Sequence, residues 1–189
     1  MTRGLAICLG MLLGCAPGTT GLNAAPSQDQ PSEAGPPPPA PLAPHPISKL
    51  KRLRIELADE AFVMEIADDQ RSRSRGLSGR TRLAPNEGML FVYPEPRELG
   101  FWMNECLTDL DILYVDSQGR IKSMHRMKKE PPRREGERRS EYEARLPRYR
   151  SVHLVQFALE FAPGTIDRLK LRLGDTVELP RATLVKDAT

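Results

Sequence analysis

The chain has 189 residues, with 28 basic and 25 acidic side chains and a net charge of +3. A balance so even gives no nucleic-acid footprint, and nucleic acid is not expected as a partner. Aromatics make up 5% and hydrophobics 39% of the residues, which calls for a compact, mostly aliphatic core of one domain. Ten of the 18 prolines fall between Pro17 and Pro46, so composition divides the chain into a start, a linker and a domain.

The start, "MTRGLAICLGMLLGC", places Arg3 before the apolar stretch Leu5 to Leu13. That stretch is far shorter than the roughly 20 residues needed to cross a bilayer, and it reads as a signal peptide over residues 1–14. "LLGC" resembles the lipobox of bacterial lipoproteins, which implies a diacylglyceryl group on Cys15 and a membrane partner held through that lipid. Two acyl chains anchor stably, because each buried methylene contributes about 0.8 kcal/mol. Ala16 at the next position implies the outer membrane where the host has one. The localisation expected is the bacterial envelope, as a lipoprotein facing the periplasm or the exterior; cleavage after a residue such as Ala25 would instead make the protein secreted. Residues 15–50 then form a proline-rich tether, extended at ~3.1 Å per residue.

The domain is expected over 51–182, with 183–189 as a tail. "LRIEL" and "FVMEI" alternate with the strand period and pair as a hairpin. Asp68 or Asp69 can cap the following helix, and Gly76 or Gly79 can end it. "GMLFVY" reads as a strand stopped by Pro94 and Pro96; "GFWM" and "DILYV" are further strands. "DSQG" is a turn into the strand "RIKSMHRM". Residues 128–150 hold nine basic and five acidic residues and three prolines, and read as a loop or frayed helix. "SVHLVQFALEFA" is a long strand, "PGTIDRLKL" a short helix and "LGDTVEL" a last strand. The sum is a mainly β (α+β) fold, a single small β-barrel-like domain with one or two short helices.

Five separated stretches, "RGLSGR", "EGMLFVY", "FWMNECLTDLDILYVD", "ALEFAPG" and "LGDTVEL", resemble in order the domain-of-unknown-function 192 family of prokaryotic proteins. The resemblance covers about residues 52 to 180. It implies a compact β-rich fold, frequent secretion or membrane tethering, and no settled activity. Trp102, Leu110 and Asp111 fit the family pattern. Ser78, Asn104, Glu105, Cys106 and Asp109 stand where the family has other residues.

Alternation through 110–115 places Leu110, Ile112 and Tyr114 on one face and Asp111, Leu113 and Val115 on the other. Asp111 then sits in apolar surroundings and must be paired or protonated. Its partners are expected among Arg75, Arg80, backbone N–H groups and the Trp102 indole, with the acid either holding a loop or touching a ligand. Trp102 offers a face for a sugar or other flat ligand, and a core role is its alternative. Glu105 and Asp109 flank it in a turn. A glycosidase pair needs carboxylates about 5–10 Å apart across a sugar. Cys106 reads as a small buried hydrophobe; a nucleophilic role would want a nearby histidine, and His153, on a strand, could approach it. Met124, His125 and Met127 are soft copper ligands by type, but adjacent strand residues face opposite ways. No phosphate loop, CxxC, HExxH or GxSxG occurs.

The reading is an envelope-tethered, non-enzymatic module that binds a small ligand, a glycan or an envelope protein, with Arg75, Trp102, Glu105 and Asp111 as ligand candidates. No catalytic residue, metal or cofactor is assigned. The alternatives are a polysaccharide hydrolase using Glu105, Asp109 or Asp111, and a structural or assembly factor working through the charged insert.

Overall fold

The computed structural model describes residues 42–189. The signal peptide, Cys15 and most of the proline-rich segment lie outside the described residues. Residues 42–50 lie against the domain. Leu42 bridges Arg52, the Arg52 Nε donates to the Ala43 carbonyl at 2.7 Å, and Ser48 Oγ donates to the Glu65 carboxylate. The Arg80 guanidinium meets that carboxylate at 2.6 Å, so the buried acid Glu65 is fully engaged in fastening this segment.

Strands β1 (Arg52–Leu57) and β2 (Glu60–Ala67) form the expected hairpin, with Leu57 opposite Glu60. The two turn residues Ala58 and Asp59 have φ of 49° and 63°, the left-handed pair that a two-residue hairpin requires. Neither is glycine. Replacing them with Asn-Gly relieves this strain, and a stabilisation of about 1 kcal/mol is expected in urea unfolding.

Helix α1 (Gln70–Arg75) follows as the crossover to the parallel strand β3 (Glu87–Arg97). Asp69 is its cap: the carboxylate accepts from the Arg71 and Ser72 N–H groups at 2.8 and 3.0 Å, while Ser72 Oγ accepts from the Asp69 N–H. Gly76, at φ +49°, ends it. β3 runs straight through Pro94 and Pro96, which were expected to stop it. Both prolines fit extended φ, and the β8 pairing shifts register between Val92 and Arg97, so no ladder donor is needed there. Gln156 instead donates its side-chain amide to the Pro94 carbonyl at 3.0 Å.

β4 (Gly100–Phe101) is shorter than "GFWM" and pairs with β7 (Tyr149–Arg150) in a two-stranded ribbon. β5 (Leu110–Val115) and β6 (Ile121–Met127) are antiparallel neighbours across the expected turn. The charged insert folds into helix α2 (Arg139–Arg145) and β7. β8 (Val155–Phe161) inserts between β3 and β5. Helix α3 (Thr165–Arg168) follows it. "LGDTVEL" contributes a single bridge, Arg120 to Thr176, rather than a strand, and the chain continues into helix α4 (Arg181–Asp187).

The fold is mainly β, as expected: one six-stranded sheet in the order β1-β2-β3-β8-β5-β6. The sheet stays open, with β1 and β6 as its edges. Backbone from 174–177 bonds the β6 start at Ile121, so this edge is covered rather than closed into a barrel. Both faces are buried. One carries Phe62, Met64, Leu90, Leu113, Val115, Phe157 and Leu159, packed with residues from the C-terminal third. The other carries Met89, Phe91, Ile112, Tyr114 and Ala158, covered by Leu77, Leu83, Leu99 and Met103 from the loops. Burial on both sides is why β5 and β8 read as nearly continuous apolar runs.

Candidate functional site

The loop after α1 and the loop after β4 are knitted together. The Gly79 N–H donates to the Glu105 carbonyl at 2.9 Å, and Ser78 Oγ donates to the Asn104 carbonyl at 2.9 Å. Glu105 adopts φ +55°, and its N–H donates to the Tyr142 hydroxyl at 3.1 Å. Tyr142 is the buried residue of α2, so the charged insert is fastened to the Trp102 loop through one side chain.

These loops enclose a cleft of about 350 Å³ over the β3–β8 face of the sheet. Phe91 and Tyr93 on β3, Phe101 on β4 and Trp102 supply aromatic walls. The Arg148 guanidinium stacks 3.3 Å from the centre of the Trp102 ring. Arg75 stands at the rim and also lines a second cavity of about 290 Å³, partly walled by Ile47, Ser48 and Leu50.

Glu160 also lines the cleft. It lies one residue before the end of β8, opposite Met89 and Ile112, and is only 4% exposed. Two residues from Ala158, it projects to the same face of the sheet. Among the described residues, no neighbouring group bonds or neutralises its carboxyl, and burial alone pushes its pKa up to about 8. A buried acid without a partner is costly, and strands normally avoid it. Here the carboxyl keeps a narrow opening onto the cleft.

The candidates read from sequence separate. Arg75 and Trp102 share the cleft. Asp111 does not line it. Its side chain lies on the other face of the sheet, where the carboxylate accepts the Ile166 N–H at 2.8 Å at the start of α3. Burial raises its pKa, and the Ile166 bond opposes that rise. Of the expected partners, a backbone N–H is the one found, and Asp111 holds the α3 loop. Asp111→Ala is expected to cost about 2 kcal/mol in chemical denaturation by orphaning that buried N–H, with Asp111→Asn close to wild type because its carbonyl still accepts.

Glu105 is exposed and held through its backbone. Asp109 pairs with Lys128 at 2.9 Å, and the Lys129 N–H, followed by Lys128, holds its pKa below the ordinary value. Neither lines the cleft, so Glu105, Asp109 and Asp111 do not converge on it as an acid and base. Cys106 lines the cleft wall, but burial, with Glu160 adding to it, pushes the thiol up to about 12, leaving it a neutral small hydrophobe. His125 bonds the Arg150 carbonyl through Nε2 at 2.9 Å, while Met124 packs on the opposite core, so the two do not chelate together.

Glu160, Arg73 and Arg148 were not singled out from the sequence. "VQFALEF" did hold the signal, since Glu160 is an acid inside a strand apolar on both faces, the same anomaly that marks Asp111.

The fold and cleft define a small open-sheet β domain with an aromatic, arginine-rimmed cavity over a buried acid. The chain belongs to the family DUF192, described as "Uncharacterized ACR", whose model matches residues 53–179. Among solved structures, the chain is similar to a Sinorhizobium meliloti 1021 protein described as a "putative transcription regulator". That match has 31% identity and a TM-score of 0.54, and covers 67% of this chain and 91% of the other. It is also similar to a protein of unknown function from Novosphingobium aromaticivorans DSM 12444, with 26% identity and a TM-score of 0.60, covering 75% and 94% of the two chains. No curated protein matches.

Proposed function

We propose that the protein is a non-enzymatic small-ligand-binding module, tethered to the bacterial envelope by a lipid on Cys15. The observation that carries the binding role is Glu160, a buried carboxyl with no partner among the described residues, facing a preformed cleft. Such a group is destabilising in the empty protein and gains a partner when a ligand enters. The aromatic walls supply apolar area, and a few convergent polar groups supply orientation. The charged insert is built into the cleft wall through Tyr142, which supports a role in shaping the site over that of a separate docking arm.

Trp102 is the chain's only tryptophan, so intrinsic fluorescence of the full chain in detergent reports on the cleft directly. A panel of sugars, sugar acids and amino acids is expected to yield a saturable response that disappears in Glu160→Leu, a variant that remains folded because its site is buried and largely apolar. A flat response to every ligand contradicts the binding role. The anchor is tested separately: Cys15→Ser is expected to move the protein from the membrane fraction to the soluble fraction, and continued membrane retention contradicts lipidation.

A further inference from the structure

The cleft's charge distribution says more about its occupant than that one exists. Four guanidiniums line it, those of Arg73, Arg75, Arg139 and Arg148, against the two acids Glu143 and Glu160. Arg139 is neutralised by Glu143 at 2.7 Å. Arg73 is held by the protein through its two terminal nitrogens, which donate to the Val92 carbonyl at 2.9 Å and to the Thr189 carbonyl, while its Nε stays buried without a partner among the described residues. Among the described residues neither Arg75 nor Arg148 has an acid at ion-pair distance, although Glu143, already paired with Arg139, lies near enough to Arg148 to favour its charge. Arg75 and Arg148 flank the mouth, one at the end of α1 and the other on Trp102.

Resting on the binding role proposed above, we infer that the cleft takes an anionic monosaccharide. Its carboxylate or phosphate sits between Arg75 and Arg148, its ring lies along the aromatic walls, and its hydroxyls reach Glu160.

Guanidinium recognises carboxylate and phosphate alike, through paired N–H donors. The positive field of the arginines attracts an anion and opposes an ammonium ligand entering the same space. With its proton retained at neutral pH, the Glu160 carboxyl presents one O–H donor and one carbonyl acceptor, the complement of a sugar hydroxyl. Phe101 and Tyr93, both half-buried at the cleft, give the C–H face of a pyranose an apolar surface, with Phe91 buried behind Phe101. A volume of about 350 Å³ holds one sugar ring rather than a polymer segment.

Calorimetric titration of the full chain in detergent with D-glucuronate, glucose 6-phosphate, D-glucose, glycine and inorganic phosphate tests this. Saturable binding of glucuronate or glucose 6-phosphate is expected, the better of the two identifying the anion, with D-glucose and phosphate at least tenfold weaker. Arg75→Ala and Arg148→Ala each weaken it about tenfold, and added salt weakens it further. Glu160→Gln, which copies the protonated acid's donor and acceptor, stays within about threefold of wild type, whereas Glu160→Leu abolishes binding. Glucose binding as tightly as glucuronate, or phosphate alone binding as tightly as the sugar phosphate, overturns the ligand class and leaves the binding role standing. So does glycine binding that is lost in Glu160→Gln, because it identifies an ammonium site. Absence of heat with every probe, together with a flat Trp102 response across the wider panel, overturns both.

Discussion

Glu160→Gln is expected to make the protein more stable, by about 3 kcal/mol at pH 7 and by roughly 4–5 kcal/mol above pH 8. The wild-type carboxyl holds its proton in the folded state up to about pH 8, against an ordinary value of 4.5. Between those values the unfolded chain has released a proton that the folded chain still binds. Stability contributed by the neutral form is therefore present in full below about pH 4.5 and is lost as pH rises through about 8. Glutamine does not titrate, so the variant's urea midpoint separates progressively from that of wild type across this window. A constant offset between the two, independent of pH, contradicts the account. Stability sacrificed at one buried residue is the expected mark of a site kept for binding.

Gly88→Ala is expected to cost about 3 kcal/mol and to disturb the same strand. A methyl group there would sit 2.5 Å from the Glu160 carbonyl and 2.6 Å from Met64 Cε. The thioether can swing aside, but the carbonyl belongs to the neighbouring strand, where Gly88 faces Phe161. Relief therefore requires β3 and β8 to separate, which is overpacking at the centre of the sheet. Thermal unfolding measures the loss. If Gly88→Ala matches wild type, the β3–β8 approach is not as close as described.

Much of the fold was legible because local chemistry and tertiary structure agree. Period-two alternation marked β1 and β2, the turn at Asp116–Gly119 marked the β5–β6 pair, and Asp69 and Gly76 bound α1 as caps of their kind do. Where the sequence misled, a long-range contact decided. Pro94 and Pro96 are strand breakers only where the ladder needs their N–H, and the register shift beside β8 removes that need. "LGDTVEL" has strand composition, but Gly174 and Asp175 bond back to the β6 region and leave only a bridge. The insert looked like a loop because its order comes from Tyr142 and from ion pairs such as Arg145 with Glu137 at 2.8 Å, which have no periodic signature.

The site was half legible. Arg75 and Trp102 line one cleft. Asp111 obeyed the alternation argument and for that reason turned away from them, to the opposite face of the sheet. The acid that does face the cleft lies about fifty residues later, in β8. Its meaning depends on β3, β4 and two loops arriving over it, and no spacing in the sequence expresses that arrangement.

The most direct test of the account is an NMR titration of the Glu160 side-chain carboxyl carbon in the full chain, from pH 4 to pH 10. A midpoint of about 8 is expected, as for a carboxyl buried without a partner at the floor of the Trp102 cleft. A midpoint near 4.5 would mean that solvent or a protein donor already satisfies the group, and the cleft would lose the feature on which its binding role rests.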